Sequence, residues 1–453
     1  MAAKKVLLLL SSDRFVFPLM RFLTEEGIRF GWKIQVGCML DPGIGDRLRE
    51  ERFPGELKFV NISKIQECDP LIKKSDIVIG LTTDSLLLQI ADSCITHRRT
   101  LVSPARLNRQ MALKKAHAKE NNVLILMDCG FSPGLDHITA KKAIDNICTK
   151  GGKITSFKTF SGSFISESSI DNPWRFKLTE SAGELMAWGR HTNRHLLQGK
   201  MQHIPYHNLF ERSEKIEIRE LENTVVIPEG DSLYYRKIYE LKDAHTVVKG
   251  RLMQNGFDRM WNMLIKLGLT DTTSKIDFGA DGSFCNFLES LLPYSESATL
   301  EQRLQDYARI DFRDIEKLKW LGLFDSGWVE GHKELTPSMI LQHLLEKKFR
   351  PDSDDKDCVV IEHQLQYEFR GEHSEFKATF ISQGSNQMDS ALAKAIGFTC
   401  GAAVKSVLLG SISVKGLQVP IIKEIYEPIL NELSDLGVAF HVEDAKVGVP
   451  QML

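Results

Sequence analysis

The sequence predicts an α/β fold: a doubly wound parallel sheet, then a second α/β region carrying a small helical insertion. Three observations predict it. Short apolar runs alternate with amphipathic stretches over about the first 130 residues. Beyond Gly134 several runs alternate apolar with polar residues, as strands with one solvated face do. Between positions 255 and 350 the apolar residues recur at helical spacing instead.

The elements follow in order. KVLLLL (5–10) reads as a buried strand, and the stretch from Phe15 as a helix with Pro18 in its first turn. KIQVGCML, LKFVNI, SDIVIGLTT, TLVSP and VLILMDCG read as further strands, with SLLLQIADSCITHR and NRQMALKKAHAKENN as helices between them. KITSFKTFSGS reads as a strand entering a second sheet. NTVVIP, SLYYRKIYEL, HTVVKGRLMQ, DCVVIEHQLQYEFRG and EFKATFISQG are strand-like too, and DCVVIEHQLQYEF suggests an antiparallel strand with a wet face. The tail reads as two helices, MDSALAKAIGFTCGAAVKSVLLG and IIKEIYEPILNELSDLG, closed by a strand AFHVE. PDSDDKD (351–357) reads as a solvated connection.

Composition narrows the function. A chain of 453 residues needs two or three cores. Its net charge of −2 provides no basic field, so neither nucleic acid nor an acidic membrane is an expected partner. The 8 cysteines form no CxxC pair and are widely spread, as reduced thiols of a cytoplasmic protein would be; Cys129 and Cys400 read as packed core. The run VLLLL is too short to span a membrane and lacks a cleavage site after it, and no other apolar stretch is expected to reach a span. His191, His195, His203 and His207 make two i,i+4 pairs. Pro205 interrupts the second and no carboxylate completes an HExxH, so no metal is expected. No GxSxG or Walker-type loop offers a hydrolase or NTPase a starting point.

Three stretches together carry a resemblance: CGFSPGLDHITAKKAID, FSGSFISESSIDNPWRFKL and AKAIGFTCGAAVKSVLLGSISVKGLQVPIIKEIYEPILNELSDLG. With DSLYYRKIYEL, VVKGRLMQNGF and KLKWLGLF in order between them, the chain resembles the saccharopine reductase family essentially end to end. That family comprises the glutamate-forming saccharopine dehydrogenases of lysine metabolism. The resemblance implies an oxidoreductase that uses NADP (NADPH) and joins glutamate to aminoadipate semialdehyde by imine reduction, or runs the reverse. It implies a small-molecule amino-acid substrate and a homodimer. It also implies a Rossmann-type dinucleotide-binding domain at 1–130 joined by 388–453, a substrate and dimerisation domain at 131–254 and 355–387, and a helical domain at 255–354.

Against this pattern the residues can be tested singly. A pyrophosphate wants glycines and helix N–H groups. Here Ser11-Ser12-Asp13-Arg14 replaces the family's glycine-rich turn: Ser11 and Ser12 can donate hydrogen bonds, Asp13 opposes a phosphate and Arg14 offsets it. Met39 stands where a family arginine would meet the 2′-phosphate, and Asp41 is as well explained by a turn. Thr82, Thr83 and Ser85 either contact the nicotinamide and its ribose or cap the helix that follows. Asp136 and His137 are the proton-transfer candidates; capping of the next helix is the structural alternative for Asp136, and Ser132 replaces the loop's first acidic residue. Asn172, Arg175 and Lys177 match the family as substrate-binding residues, the two cations on one strand face or simply on an exposed basic face. Ser161-Gly162-Ser163 stands for a more glycine-rich turn. Asp231 is kept, but Gly230 replaces an arginine, a loss of about 1.5–3 kcal/mol unless Arg236 or another cation substitutes. The departures at Ser11–Arg14, Met39, Ser132 and Gly230 leave two alternatives to saccharopine turnover. One is a non-catalytic relative acting as a binding or structural protein. The other is an imine reductase with a different substrate such as a carboxylated polyamine.

Overall fold

The structure is a computed structural model and describes residues 5–11, 15–38, 55–188, 193–277, 282–329 and 335–444. The chain divides into two units, 1–154 with 366–453, and 155–365. This division differs from the expected boundaries at 130/131 and 387/388. The helices of 255–354 do not stand apart either. Their Trp261, Phe287, Leu318 and Leu341 share one apolar core with Val225, Ile227, Trp174 and Leu178 of the second unit.

The first unit opens with β1 (Val6–Ser11), α1 (Val16–Phe30), β2 (Lys33–Cys38) and β3 (Glu56–Phe59). It continues with α2 (Ile65–Lys74), β4 (Ile77–Leu81), α3 (Asp84–Thr96), β5 (Thr100–Val102), α4 (Arg109–Ala112), α5 (Lys115–Glu120), β6 (Leu124–Leu126) and α6 (Leu135–Thr149). The segment expected as one helix at 108–122 is thus two short ones, the first capped by Asn108, which accepts from Met111 N at 2.8 Å.

The second unit takes β7 (Lys153–Ile165), α7 (Ala182–Ala187), β8 (Asn193–Leu197), β9 (Lys200–Ile204), β10 (Glu214–Ile218), β11 (Leu221–Pro228), α8 (Ser232–Ile238) and β12 (Thr246–Gln254). The helices α9 (Phe257–Lys266), α10 (Phe284–Ser290), α11 (Leu300–Ala308), α12 (Phe312–Leu321) and α13 (Pro337–Lys348) follow, then β13 (Asp357–Phe369). Its strands run in the order β10-β11-β12-β7-β13, with the β8–β9 hairpin paired to β12. β7 and β12 are parallel, and the other pairs with a defined register are antiparallel.

Three expectations are corrected here. SLYYRKIYEL is a helix, because Asp231 caps it, accepting from Leu233 N at 3.2 Å, and Arg236 and Lys237 sit at its carboxyl end. Ser161-Gly162-Ser163 is not a turn but the body of β7, where a Cβ on Gly162 would lie 2.4 Å from Leu252 O. The first half of β13 is buried on both faces, and alternation begins only near Gln364.

The chain then returns to the first unit with β14 (Glu372–Gln383), α14 (Ala391–Leu408), β15 (Gly416–Gln418), α15 (Lys423–Asp435) and β16 (His441–Asp444). Among the described residues this unit's main sheet has seven strands, all parallel, in the order β15-β6-β5-β4-β1-β2-β3. α14 packs on α1 so closely that a Cβ on Gly397 would lie 2.7 Å from Leu19 N. Lys405 Nζ ties the same helix to Glu26 at 3.0 Å and Glu432 at 2.6 Å. With a mean hydropathy of 1.4 over 18 residues, α14 does have the length and composition of a membrane span, contrary to expectation; its burial inside the unit accounts for that composition. Cys129 and Cys400 are buried, and desolvation holds the first thiol well above its usual range and pushes the second up to about 12.

Candidate functional site

In the first unit's sheet the winding reverses between β1 and β4, which opens a crevice beyond the strand ends. α1 follows β1 after residues 12–15; its N-cap residue, Phe15, supplies no side-chain cap hydrogen bond, and its first turn carries no acidic residue. The first turn of α1 carries the positive end of its helix dipole. Ser12, Asp13, Arg14, Met39, Asp41 and His191 lie outside the described residues. Ser11 is the last residue of β1, set between Cys38 of β2 and Leu81 of β4, and is fully buried.

The loop after β4 is open. Thr83 occupies the N-cap position of α3, yet its side chain makes no cap hydrogen bond. Its Oγ1 lies 3.5 Å from Ser85 Oγ, and Thr82 Oγ1 lies 3.5 Å from Thr83 O. Thr83 therefore does not cap α3.

The loop after β6 is closed. Gly134 has φ +147, and a Cβ there would lie 2.0 Å from Gly130 O, so only glycine fits. Asp136 is not the N-cap, which is Gly134, but the second residue of α6. From there Oδ1 accepts from Gly134 N and His137 N, both at 2.8 Å, and Ser132 Oγ donates to Oδ2 at 2.7 Å. Asp136 and His137 are both buried. Ser132, which replaces an acid, thus serves the remaining one.

In the second unit the residues expected to bind substrate are spent on the fold. Asn172 Oδ1 accepts from Trp174 N at 3.1 Å, and its Nδ2 donates to Phe176 O at 2.9 Å, so the side chain shapes its own loop. Arg175 and Lys177 do not share a strand face, because 171–178 is a loop in which Arg175 takes φ +52. Arg175 is exposed and pairs with Glu167. Lys177 is 4% exposed and sits among Asp171 (2.8 Å), Asp355 (2.8 Å) and Asp352 (3.1 Å). Burial opposes its charge, but the three carboxylates outweigh that and hold its pKa above the usual lysine range. An ammonium so compensated is not an anchor for a substrate carboxylate. PDSDDKD is accordingly more than a solvated connection, since two of its aspartates complete this cage.

Asp231 is gripped by Arg194 of β8 through both guanidinium Nε (3.3 Å) and Nη2. Gly230, at φ +59, is held by Asn193 Oδ1 at 2.8 Å and accepts from Arg194 N at 3.0 Å. The cation beside Asp231 is therefore Arg194. Arg236 is occupied with the carbonyls of Leu241 and Lys242. No local pattern points to Arg194, because the β8 edge and the turn after β11 are joined only by folding. His195 and His203 stand on the strands of the β8–β9 hairpin rather than on a helix, opposite Gln202 and Arg194.

With this geometry in hand, a family model for the saccharopine dehydrogenase C-terminal domain matches residues 130–438. The chain belongs to the saccharopine dehydrogenase family. The saccharopine dehydrogenase (NADP(+), L-glutamate-forming) of Pyricularia oryzae is 25% identical over 463 residues, 96% of this chain and 97% of that one. The mitochondrial alpha-aminoadipic semialdehyde synthase of Rattus norvegicus is 25% identical over 455 residues, 98% of this chain but 48% of that protein, so the chain spans about half its length. The structure of apo saccharopine dehydrogenase (L-Glu forming) from Saccharomyces cerevisiae superposes with a TM-score of 0.84 at 22% identity, covering 97% of this chain and 100% of that one. The matched residues cover, but for Cys129, all three stretches on which the resemblance rested.

Proposed function

We propose that this saccharopine dehydrogenase family member is an NADP-dependent oxidoreductase of a CH–NH bond, converting saccharopine to glutamate and aminoadipate semialdehyde or running the reverse in lysine metabolism. The observation that carries the reading is the reversal of winding between β1 and β4, with the first turn of α1 following β1 and the hydroxyls of Thr82, Thr83 and Ser85 following β4. The name of the Pyricularia oryzae relative, matched over nearly its whole length, supports the same substrate.

A dinucleotide, when bound, would exchange a hydride with the substrate carbon, accepting it as NADP+ in saccharopine oxidation and supplying it as NADPH in the reverse. The α1 N-terminus takes its phosphate charge, and Thr82, Thr83 and Ser85 bind its polar groups. Asp136 holds the turn at 130–134 by accepting from Ser132 Oγ and Gly134 N. His137, beside it, carries the proton exchanged at the substrate nitrogen. A homodimer in the cytoplasm is part of the same reading.

The test is a calorimetric titration of the purified protein with NADPH and, in parallel, NADH, followed by saccharopine turnover. Micromolar binding of NADPH with turnover is expected. Absence of binding by either nucleotide at millimolar concentration, with no turnover, would overturn the proposal in favour of a non-catalytic relative.

A further inference from the structure

Ser103 lies just past β5 and is fully buried. Its Oγ donates to Gly80 O of β4 at 2.7 Å and accepts from Ala105 N at 3.2 Å. Its own N–H donates to Leu126 O at 2.9 Å, and its carbonyl accepts from Cys129 N at 3.1 Å. The ends of β4, β5 and β6 therefore close on one residue.

The stitching continues beyond it. Asp128, at φ +58, donates from its N–H to Ala105 O at 3.1 Å and accepts from Leu107 N through Oδ1 at 2.6 Å. Pro104 lies against Gly130, where a Cβ would come within 3.0 Å of Pro104 O. The segment 103–107 is thus bound firmly to 126–130, the start of the loop that carries Ser132, Asp136 and His137. Towards β4 the ladder ends at Ile79–Val102. Past that point the Ser103 hydroxyl carries the connection on to Gly80, two residues before Thr82.

We propose that Ser103 is a positioning residue: through the Gly80 carbonyl and the Ala105 amide it sets the loop of Thr82, Thr83 and Ser85 in register with the loop of Ser132, Asp136 and His137, so that filling the first orders the second. The proposal rests on the dinucleotide reading of the first loop. A hydroxyl that only satisfied two buried main-chain groups would change stability and nothing else.

The experiment compares the full chain with its Ser103→Ala and Ser103→Thr variants. It measures NADPH affinity by calorimetry, thermal unfolding, and hydrogen exchange at residues 82–85 and 130–137 with and without NADPH. In the parent protein NADPH is expected to slow exchange in both loops. Ser103→Ala should weaken NADPH binding about tenfold and confine the slowing to 82–85, while Ser103→Thr keeps the hydroxyl and restores both. In the apo proteins Ser103→Ala should speed exchange in both loops and leave β1 unchanged. If Ser103→Ala lowers the unfolding midpoint but keeps NADPH affinity and the shared protection, the proposal is overturned. If the parent binds no nucleotide, the dinucleotide reading fails on its own. The apo exchange then decides for Ser103: acceleration in both loops supports it, and uniform or absent acceleration sinks it.

Discussion

After β4 of the first unit, Thr82, Thr83 and Ser85 make side-chain contacts no shorter than 3.5 Å. In the second unit Lys177 touches three carboxylates and Arg194 holds Asp231 in a fork. Both regions were expected to meet ligands, yet one leaves its polar groups open and the other closes them on each other. Solvation explains the difference. A hydroxyl at a loop surface exchanges water for a ligand at little cost, whereas a buried ammonium must be compensated within the fold. Residue type alone therefore overstates how free Lys177 is to meet a ligand.

The sharpest way to break this comparison is Lys177→Met. It leaves Asp171, Asp352 and Asp355 facing one another, and a loss of about 2–4 kcal/mol in urea unfolding is expected, below the full buried-pair cost because two of the carboxylates are exposed. KM for saccharopine should stay within about twofold of the parent. A large rise in KM at unchanged stability would make Lys177 an anchor after all. The cage also has a pH signature. Asp171 is held below its ordinary range, chiefly by the Lys177 hydrogen bond, so its contribution is full above the unfolded carboxylate pKa and drains as pH falls through the lowered folded value.

Asp136→Ala is next. It strands two buried amides and the Ser132 hydroxyl, and about 2 kcal/mol of stability should go. Asp136→Asn, which keeps an acceptor, should recover much of it; equal losses in the two variants would show that charge rather than hydrogen bonding holds the turn. Thr83→Val tests the open side. NADPH affinity should fall about five- to tenfold with no change in unfolding midpoint, since no cap bond is lost. A stability loss of about 1 kcal/mol, as for a deleted cap, would return Thr83 to helix capping.

The smallest effect is expected at His195. Burial holds its pKa below the ordinary value of 6.5, and its Nδ1 has no partner among the described residues. The unfolded chain therefore takes up a proton first as pH drops below that value, and stability should fall, by less than about 1 kcal/mol, towards the lowered folded value. His195→Gln should flatten that slope; an unchanged slope would place the titration elsewhere.

The β/α alternation was legible because each strand and helix of the first unit declares itself within a few residues, from KVLLLL to SDIVIG. The GFSPGLDH loop was legible for the same reason, since its glycine and its acid act over four positions. The Lys177 cage was not, because Asp352 and Asp355 lie 175 and 178 residues away in sequence. Arg194 and Asp231, 37 residues apart, meet only through the pairing of β8 with the turn after β11. SLYYRKIYEL misled because its aromatic content favours strand, and a single capping aspartate outside the run decided for helix. α14 misled in another way, as a core helix with the composition of a membrane span.

The contact of Gly397 with Leu19 and the ion pair of Lys405 with Glu26 bear on how the chain is made. α1 leaves a ribosome more than 350 residues ahead of its partner helix. The contiguous stretch 155–365 has no such wait. Synthesis should then complete the second unit first, with the N-terminal sheet carrying an uncovered apolar face until the last helices arrive. A chain truncated before residue 391 would keep that face exposed, a natural target for chaperones and proteases.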